Sequence, residues 1–109
     1  MSETYRVLAQ LNPSASTLTP LYTVQSNTTA VVSSILICNT SSVGTTFRIS
    51  IQVSAEADDK KQYLYYDLPL LGNDTFISTI GVTLKAGDVV SVYAGSANVS
   101  FSIFGVEIQ

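Results

Sequence analysis

The chain has 109 residues, enough for one domain with its own hydrophobic core and too few for two. Hydrophobic residues make up 46 % of it and charged residues only 12 %, about half the charged share of an ordinary soluble domain. The net charge is −3 with the five basic residues scattered, which excludes the basic patch of a nucleic-acid-binding protein, and no apolar run reaches the roughly 18 to 20 residues of a membrane helix.

Residues 1–18 are predicted to form an N-terminal arm that contains the first strand. This strand alternates weakly, with Tyr5 and Leu8 on opposite faces. The next extended segment, from Leu18 onward, contains a proline, which is typical of an edge strand. We expect the arm to pack on a neighbouring molecule and residues 19–109 to form a single β-sandwich domain.

Two different strand patterns flank a turn-rich join between Ile35 and Val53. The four residues from Ile35 to Cys38 are apolar without a break, which predicts a central strand covered on both faces, with a buried thiol at its end. After the join, apolar and polar residues alternate, which predicts one buried and one wet face. Together these patterns predict a core hairpin, with Leu36 facing a neighbouring subunit or the aromatic strand at 63–70. The Ser33–Ser34 pair interrupts the apolar run and predicts a bend or bulge there.

A charged segment and an aromatic strand follow. Residues 55–62 are the only charge-dense segment of the chain and are predicted to form a loop, with one helical turn, that projects into solvent. In the strand at 63–70, alternation places Tyr63 and Tyr65 on one face and Tyr66 on the other. This aromatic ledge has three interpretations: a surface for stacking on sugar rings, an anchor for a protein interface, or the tyrosine-lined edge of an ordinary sandwich.

The C-terminal third is predicted to hold three further strands. Residues 75–84 fit one strand kinked at Gly81, and residues 89–94 a short buried strand. In the last strand the apolar residues change from odd to even positions between Ile103 and Phe104. This change predicts a β-bulge at that point, or else one half of the strand faces a partner subunit.

The whole pattern predicts an all-β fold, an antiparallel β-sandwich of about eight strands. Turn residues recur at short intervals and no segment has a helical period. A jelly roll is the first expectation for eight such strands. An immunoglobulin-like topology is second, because the chain has a single cysteine and no tryptophan.

The residues carry no recognisable catalytic or metal motif. The chain has no histidine and one cysteine, which removes the commonest general base and any thiolate zinc site. Asp58, Asp59, Asn73 and Asp74 are hard oxygen ligands on loops, but they lack the alternating spacing of a calcium loop, and turn capping accounts for them. We therefore expect neither an enzyme nor a cofactor.

Several segments resemble small virion proteins of tailed bacteriophages, especially those of cyanobacteria and other aquatic bacteria. The resemblance rests on YLYYDLPLLGNDTF at 63–76, on VVSSILICNTSS before it, and on GVTLKAGDVVSVYA and FSIFGVEI after it, and it covers roughly residues 20–108. It implies a non-enzymatic β-sandwich subunit, either a capsid decoration (cement) protein that binds and stabilises the assembled shell or a module of the tail, baseplate or fibre. A carbohydrate-binding (receptor-binding) β-sandwich is the further alternative.

The composition agrees with a subunit that is permanently assembled, because a surface this poor in charge suits burial against partners. The expected partners are the major capsid protein or other virion proteins and further copies of the chain, as a dimer or trimer. The start of the chain has no secretory signal, so we expect synthesis in the bacterial cytoplasm and final location in the virion. The residues expected at interfaces are Tyr5, Leu8, Leu18, Leu36, Tyr63, Tyr65 and Tyr66.

Overall fold

The alternating segments form nine β-strands in the computed structural model, which describes residues 2–109. The strands, numbered β1 to β9 in chain order, are Glu3–Leu11, Thr19–Thr23, Thr29–Asn39, Thr45–Gln52, Tyr63–Leu70, Thr75–Ser78, Val82–Leu84, Val89–Ala94 and Val99–Ile108. Two short 3-10 turns, Val53–Ala55 and Lys60–Gln62, lie between β4 and β5, and the described residues contain no α-helix. The prediction of an all-β chain is confirmed.

The strands form two antiparallel sheets packed as a sandwich. Sheet A has the order β1-β9-β3-β6, with β7 also paired to β3, and sheet B has the order β2-β8-β4-β5. Both β6 and β7 run antiparallel to β3, so together they act as the single strand, interrupted near Gly81, that the sequence predicted. Counted in this way, the described chain has eight strands.

The order of pairing is that of a jelly roll. The pairs β1–β9, β2–β8, β3 with β6 and β7, and β4–β5 are the successive rungs of one long antiparallel ribbon, which closes at β4–β5. The first and third of these pairs lie in sheet A and the second and fourth in sheet B. Each sheet therefore has four members when β6 and β7 are counted as one strand. The predicted class, an antiparallel β-sandwich of the jelly-roll type, is confirmed.

The predicted core hairpin between Ile35 and Val53 is wrong, because β3 belongs to sheet A and β4 to sheet B. The join crosses between the sheets, and the buried side chain of Asn39 organises it. Its Nδ2 donates to the carbonyl oxygens of Val43 at 2.8 Å and Leu71 at 3.3 Å, and its Oδ1 accepts from the Ser41 amide at 3.0 Å. Turn residues between two strands predict a change of direction, but not the sheet that the second strand joins.

Within the isolated chain, strand β3 is covered on one face by the opposite sheet, and the strand at 63–70 does not cover the other face. Ile35 and Ile37 are buried in the sandwich, whereas Leu36 and Cys38 point outward and are half-buried. A register shift at Ser33 confirms the predicted bulge, which explains why the inward positions change from even to odd along this strand.

The core lies between the two sheets and is filled by aliphatic and phenylalanine side chains. Each such side chain contributes about 1.5 to 3 kcal/mol to folding when it is fully buried. The largest fully buried side chains of the core include Phe47, Ile49, Val90, Val92, Phe101 and Ile103.

Strand β9 alternates without a break, so the bulge predicted between Ile103 and Phe104 is wrong. The register shifts lie instead on its two neighbours, at Leu8 in β1 and at Ser33 in β3. Phe104 and Val106 consequently point away from the core and are half-buried. The C-terminal half of β9 therefore has its apolar side chains on the outer face of sheet A, which agrees with the other possibility left open by the sequence.

The inward positions of this half of β9 are a glycine and a buried acid. Glu107, only 8 % exposed, accepts a hydrogen bond from the Tyr22 hydroxyl at 2.6 Å and pairs with Arg6 Nη2 at 2.7 Å. Burial, together with the hydrogen bond to this carboxylate, raises the pKa of Tyr22. At Gly105 a Cβ would lie 2.1 Å from the carbonyl oxygen of Val31, so no side chain fits there.

Candidate functional site

The outer face of sheet A carries a strip of apolar side chains across three strands. Tyr5 of β1 lies opposite Val106 of β9, which lies opposite Val31 of β3, and Val7 lies opposite Phe104. Directly opposed residues have their Cβ atoms about 4.5 to 5.5 Å apart, so the strip is continuous. Tyr5 is 75 % exposed, Val7 is 47 % exposed and the other three are half-buried. We call these five residues the apolar face.

A second apolar pair lies on the same outer side of sheet A. Leu36, which the sequence placed at an interface, lies opposite Ile77 of β6. Ile77 is 58 % exposed and Leu36 is half-buried, so the pair faces solvent in the isolated chain.

The three N-terminal residues predicted for an interface have different environments. Tyr5 belongs to the apolar face, but Leu8 sits at the bulge of β1 and packs against the core. Leu18 is half-buried just before β2. Strand β1 pairs with β9 from Glu3 to Leu11, and it therefore forms one edge of sheet A.

On the outer face of sheet B, an arginine is stacked between two tyrosine rings. The Arg48 guanidinium carbon lies 4.1 Å from the ring centre of Tyr66 and 4.0 Å from that of Tyr93. The Nε and Nη2 atoms of Arg48 donate to the carboxylate of Asp67 at 2.6 and 3.3 Å. This hydrogen bonding raises the pKa of Arg48 and fixes its orientation.

Tyr63 extends this stack toward the charged loop. Its ring meets that of Tyr66 at 90° with the centres 5.0 Å apart, an edge-to-face contact. Its hydroxyl donates to Asp58 Oδ1 at 2.8 Å. Burial, and then the hydrogen bond to Asp58, raise the pKa of Tyr63 to about 12.

Tyr65 is not on the same face as Tyr63, contrary to the prediction. It faces the inside of the sandwich, where its ring lies 6.0 Å from Phe47 and 5.3 Å from Phe76, and its hydroxyl is 2.9 Å from that of Ser78. The reason is that β5 has two irregularities against β4, so simple alternation fails along it. Tyr63 and Tyr66 therefore share the outer face, and Tyr65 is a packing residue.

The charged segment is exposed, as predicted, but it is anchored rather than projecting freely. Its single helical turn carries a capping box: Asp59 accepts from the Lys61 amide at 3.1 Å, and the Gln62 side chain accepts from the Asp59 amide at 3.0 Å. Gln62 is 5 % exposed and also donates to the Ala57 carbonyl at 2.8 Å. The loop therefore holds its acidic and basic groups in place beside Tyr63.

These groups surround an open cleft of about 450 Å³ on the outer side of sheet B. Two of its residues are acidic, two are basic and two are aromatic, so its lining carries no net formal charge. We call it the aromatic cleft, and its lining residues are Arg48, Asp58, Asp59, Lys60, Tyr63 and Tyr66.

Within residues 2–109, no group of three or more histidine, cysteine, aspartate or glutamate side chains is placed to hold a metal ion. In the same part of the chain, no helix has the length and apolar character needed to cross a membrane. The interactions that stand out are therefore the apolar face and the aromatic cleft.

No family model, curated protein or solved structure matches this chain. Its candidate sites consequently rest on their own geometry. Sequence reasoning found Tyr63 and Tyr66 and considered Asp58 only as a possible calcium ligand. It missed Arg48 and Tyr93, which come from two other strands. One signal was present: Arg48 is the single charged residue on the otherwise hydroxyl and amide outer side of β4.

Proposed function

We propose that this protein is a non-enzymatic structural subunit of a tailed-bacteriophage virion, a capsid decoration protein that binds and stabilises the assembled shell. The observation that carries the proposal is the apolar face on sheet A. The jelly-roll topology supports it as an analogy, because that architecture recurs in viral capsid proteins as well as in lectins. The resemblance of the sequence to small virion proteins supports it independently.

The apolar face lies where a sheet exposed to solvent would normally carry polar side chains. The solvated face of an antiparallel sheet is normally polar. Here Phe104 and Val106 point outward, whereas Glu107 points inward, is buried, and needs Arg6 and Tyr22 to satisfy it. A contiguous exposed apolar surface of this kind is typical of a protein–protein contact.

The edges of the sheets favour β1 as a place where a second copy pairs. The β2 edge contains Pro20, β5 contains Pro69 and two register irregularities, and the edge made by β6 and β7 is short and interrupted. These features block strand addition. Strand β1 has nine residues and no proline, and although it is bulged at Leu8, its pairing is regular from Glu3 to Val7. Antiparallel pairing of two β1 strands would relate the copies by a two-fold axis and join their apolar faces.

Oligomerisation also explains how a small subunit could hold a shell. Each contact with a capsid protein would be weak by itself. Once one subunit of an oligomer is bound, however, the other subunits are held near their own sites at a high effective concentration, so the oligomer binds more tightly than a single subunit. A ligand that binds only the assembled shell stabilises that shell by mass action. The protein would therefore reside in the virion, with the major capsid protein and its own copies as partners.

The test is co-sedimentation with assembled shells of the phage that encodes the protein, compared with its free capsid subunits. We expect binding to shells only, and loss of binding in the double variant Tyr5→Ser, Val7→Ser. The double variant Val43→Ser, Leu71→Ser is the matched control, because both residues are 70 % exposed and lie in turns outside the apolar face. Deleting residues 1–16 is less informative, because it removes β1 from sheet A.

Binding to free subunits as well as to shells, or shell binding that survives the Tyr5 and Val7 changes, would contradict the decoration role. Labelling at the tail in electron micrographs, with bare capsids, would instead assign the protein to the tail, baseplate or fibre.

A further inference from the structure

We propose that the aromatic cleft on sheet B is a binding site for a neutral saccharide, formed where the edge-to-face pair Tyr63–Tyr66 meets the carboxylates and the lysine of the 55–62 loop. The site lies on the opposite sheet from the apolar face. The proposal is therefore independent of the assembly role and stands or falls separately from it.

The first argument is the rigid aromatic surface. Tyr66 remains 58 % exposed although Arg48 stacks on its ring at 4.1 Å, and Tyr63 contacts it at right angles. Tyrosine offers a large amphipathic surface at a low cost in side-chain entropy, and these contacts reduce that cost further. A sugar ring presents C–H groups on one face and hydroxyls at its rim, which suits an aromatic surface bordered by polar groups.

The second argument is the set of polar groups at the border. Asp58 uses one oxygen to accept from Tyr63, and a carboxylate has about four acceptor positions, so it can accept further hydrogen bonds. Lys60 has three donor hydrogens and forms no ion pair within the described part of the chain. Hydroxyl groups both donate and accept, and they can therefore satisfy both residues at once.

The third argument is the set of charged groups left for a ligand, which favours one class of sugar. Among the charged lining residues, Arg48 is paired with Asp67 and Asp59 caps the helical turn, so Asp58 and Lys60, one acid and one base, remain. Arg48 is not available to an anion, because Asp67 already binds it and two rings cover it. Lys60 opposes a cationic ligand such as a quaternary ammonium group, although aromatic cages often bind such groups. A neutral polyhydroxylated ligand fits without leaving a charge unpaired.

The size and stability of the cleft agree with this class. Ligand clefts span roughly 300 to 1,000 Å³, and this one has about 450 Å³, with an open form that suits one or two sugar rings at the surface. The capping box at Asp59 and the buried Gln62 keep the loop ordered without ligand. Little rearrangement is therefore needed on binding.

The experiment is a glycan array of neutral, acidic and amino-sugar oligosaccharides probed with the full chain, followed by NMR titration of the strongest neutral glycan. We expect selective signals for neutral glycans, and chemical-shift changes centred on Tyr63 and Tyr66. The variants Tyr66→Ala and Asp58→Asn should each weaken binding, the former by about tenfold or more. Leu71→Ala, at a 70 % exposed apolar residue outside both the cleft and the apolar face, is the matched control and should bind normally.

Thermal unfolding of each variant separates lost binding from lost folding, and Tyr66→Phe should retain most of the affinity because it keeps the ring. Three results would overturn the proposal: no neutral glycan that binds, a preference for acidic or cationic probes, or neutral-glycan binding that Tyr66→Ala leaves unchanged.

Discussion

The outer faces of the two sheets differ in kind, although both belong to one small sandwich. The face of sheet A presents Tyr5, Val7, Phe104 and Val106 with no charged residue among them. The face of sheet B presents Arg48 stacked between tyrosines and is bordered by the charged 55–62 loop. One face is suited to another protein surface and the other to water and polar ligands.

This difference has a cause in the order of the strands. Five of the thirteen charged residues lie in one segment, between β4 and β5, and the ribbon closes at that point in sheet B. Sheet A instead contains the long strands β3 and β9, whose outward positions are apolar or hydroxyl-bearing. The jelly roll therefore brings the charge-dense segment to the side of sheet B, whereas Glu3 is the one charged residue at an outward position of β1, β3 or β9.

The largest expected effect is on folding, and it should differ between the inward and outward sides of β3. Ile37→Asp should prevent folding, because it places an unpaired carboxylate in the core, where the residue is now fully buried. Leu36→Asp should leave the monomer folded, because this side chain points outward beside Ile77. Circular dichroism and urea unfolding measure both, and equal loss of folding in the two variants would refute the assignment of Leu36 to an outer face.

A smaller effect is expected at the glycine between the two outward residues of β9. Gly105→Ala should destabilise the protein by about 2 to 4 kcal/mol, because its Cβ would meet the Val31 carbonyl and the strands of the apolar face must separate. Gly81→Ala has no heavy atom within 4 Å of the new carbon and should be nearly neutral. Urea midpoints of the two variants decide the point, and a stable Gly105→Ala protein would show that β9 and β3 pair differently.

The stack on sheet B should contribute less than the core but more than an ordinary surface charge. Arg48→Lys keeps the charge but loses the planar contact with Tyr66 and Tyr93 and the two-point bond to Asp67, and we expect about 1 kcal/mol of destabilisation. The control Lys61→Gln removes a surface pair with Glu56 at 3.5 Å and should have no measurable effect. Equal unfolding midpoints for both variants would mean that the stack is not formed in solution.

The smallest effect is in the alkaline titration of the aromatic cleft. The pKa of Tyr63 is raised to about 12, so its neutral form is favoured in the folded state. Its contribution to stability is complete below about pH 10, the ordinary tyrosine pKa, and is lost as the pH rises toward 12. Tyrosinate absorbance of the wild type minus that of Tyr63→Phe isolates this group.

Asp58→Asn should lower the pKa of Tyr63 in that titration, because it removes the carboxylate that accepts from the hydroxyl, whereas Asp59→Asn should leave it unchanged. The same titration curve in all three proteins would contradict the contact between Tyr63 and Asp58.

The sequence predicted the fold better than it predicted the surfaces. Alternation along the strands and the kink at Gly81 were sufficient for the jelly roll, because these are local properties of each strand. Irregular pairing was the main cause of error. The bulges of β5 moved Tyr65 inward, and the bulges at Leu8 and Ser33 removed the need for one in β9. Their positions depend on which strands become neighbours, which local patterns do not specify.

The central claim, that the apolar face is an assembly interface, is tested most directly by sedimentation velocity over a dilution series. The wild type should sediment as a dimer or larger species at micromolar concentration, and Val7→Lys as a folded monomer. The control Val43→Lys, at a more exposed valine outside the apolar face, should sediment like the wild type. A wild-type chain that is monomeric at every concentration, or a Val7→Lys variant that associates as the wild type does, would contradict the claim.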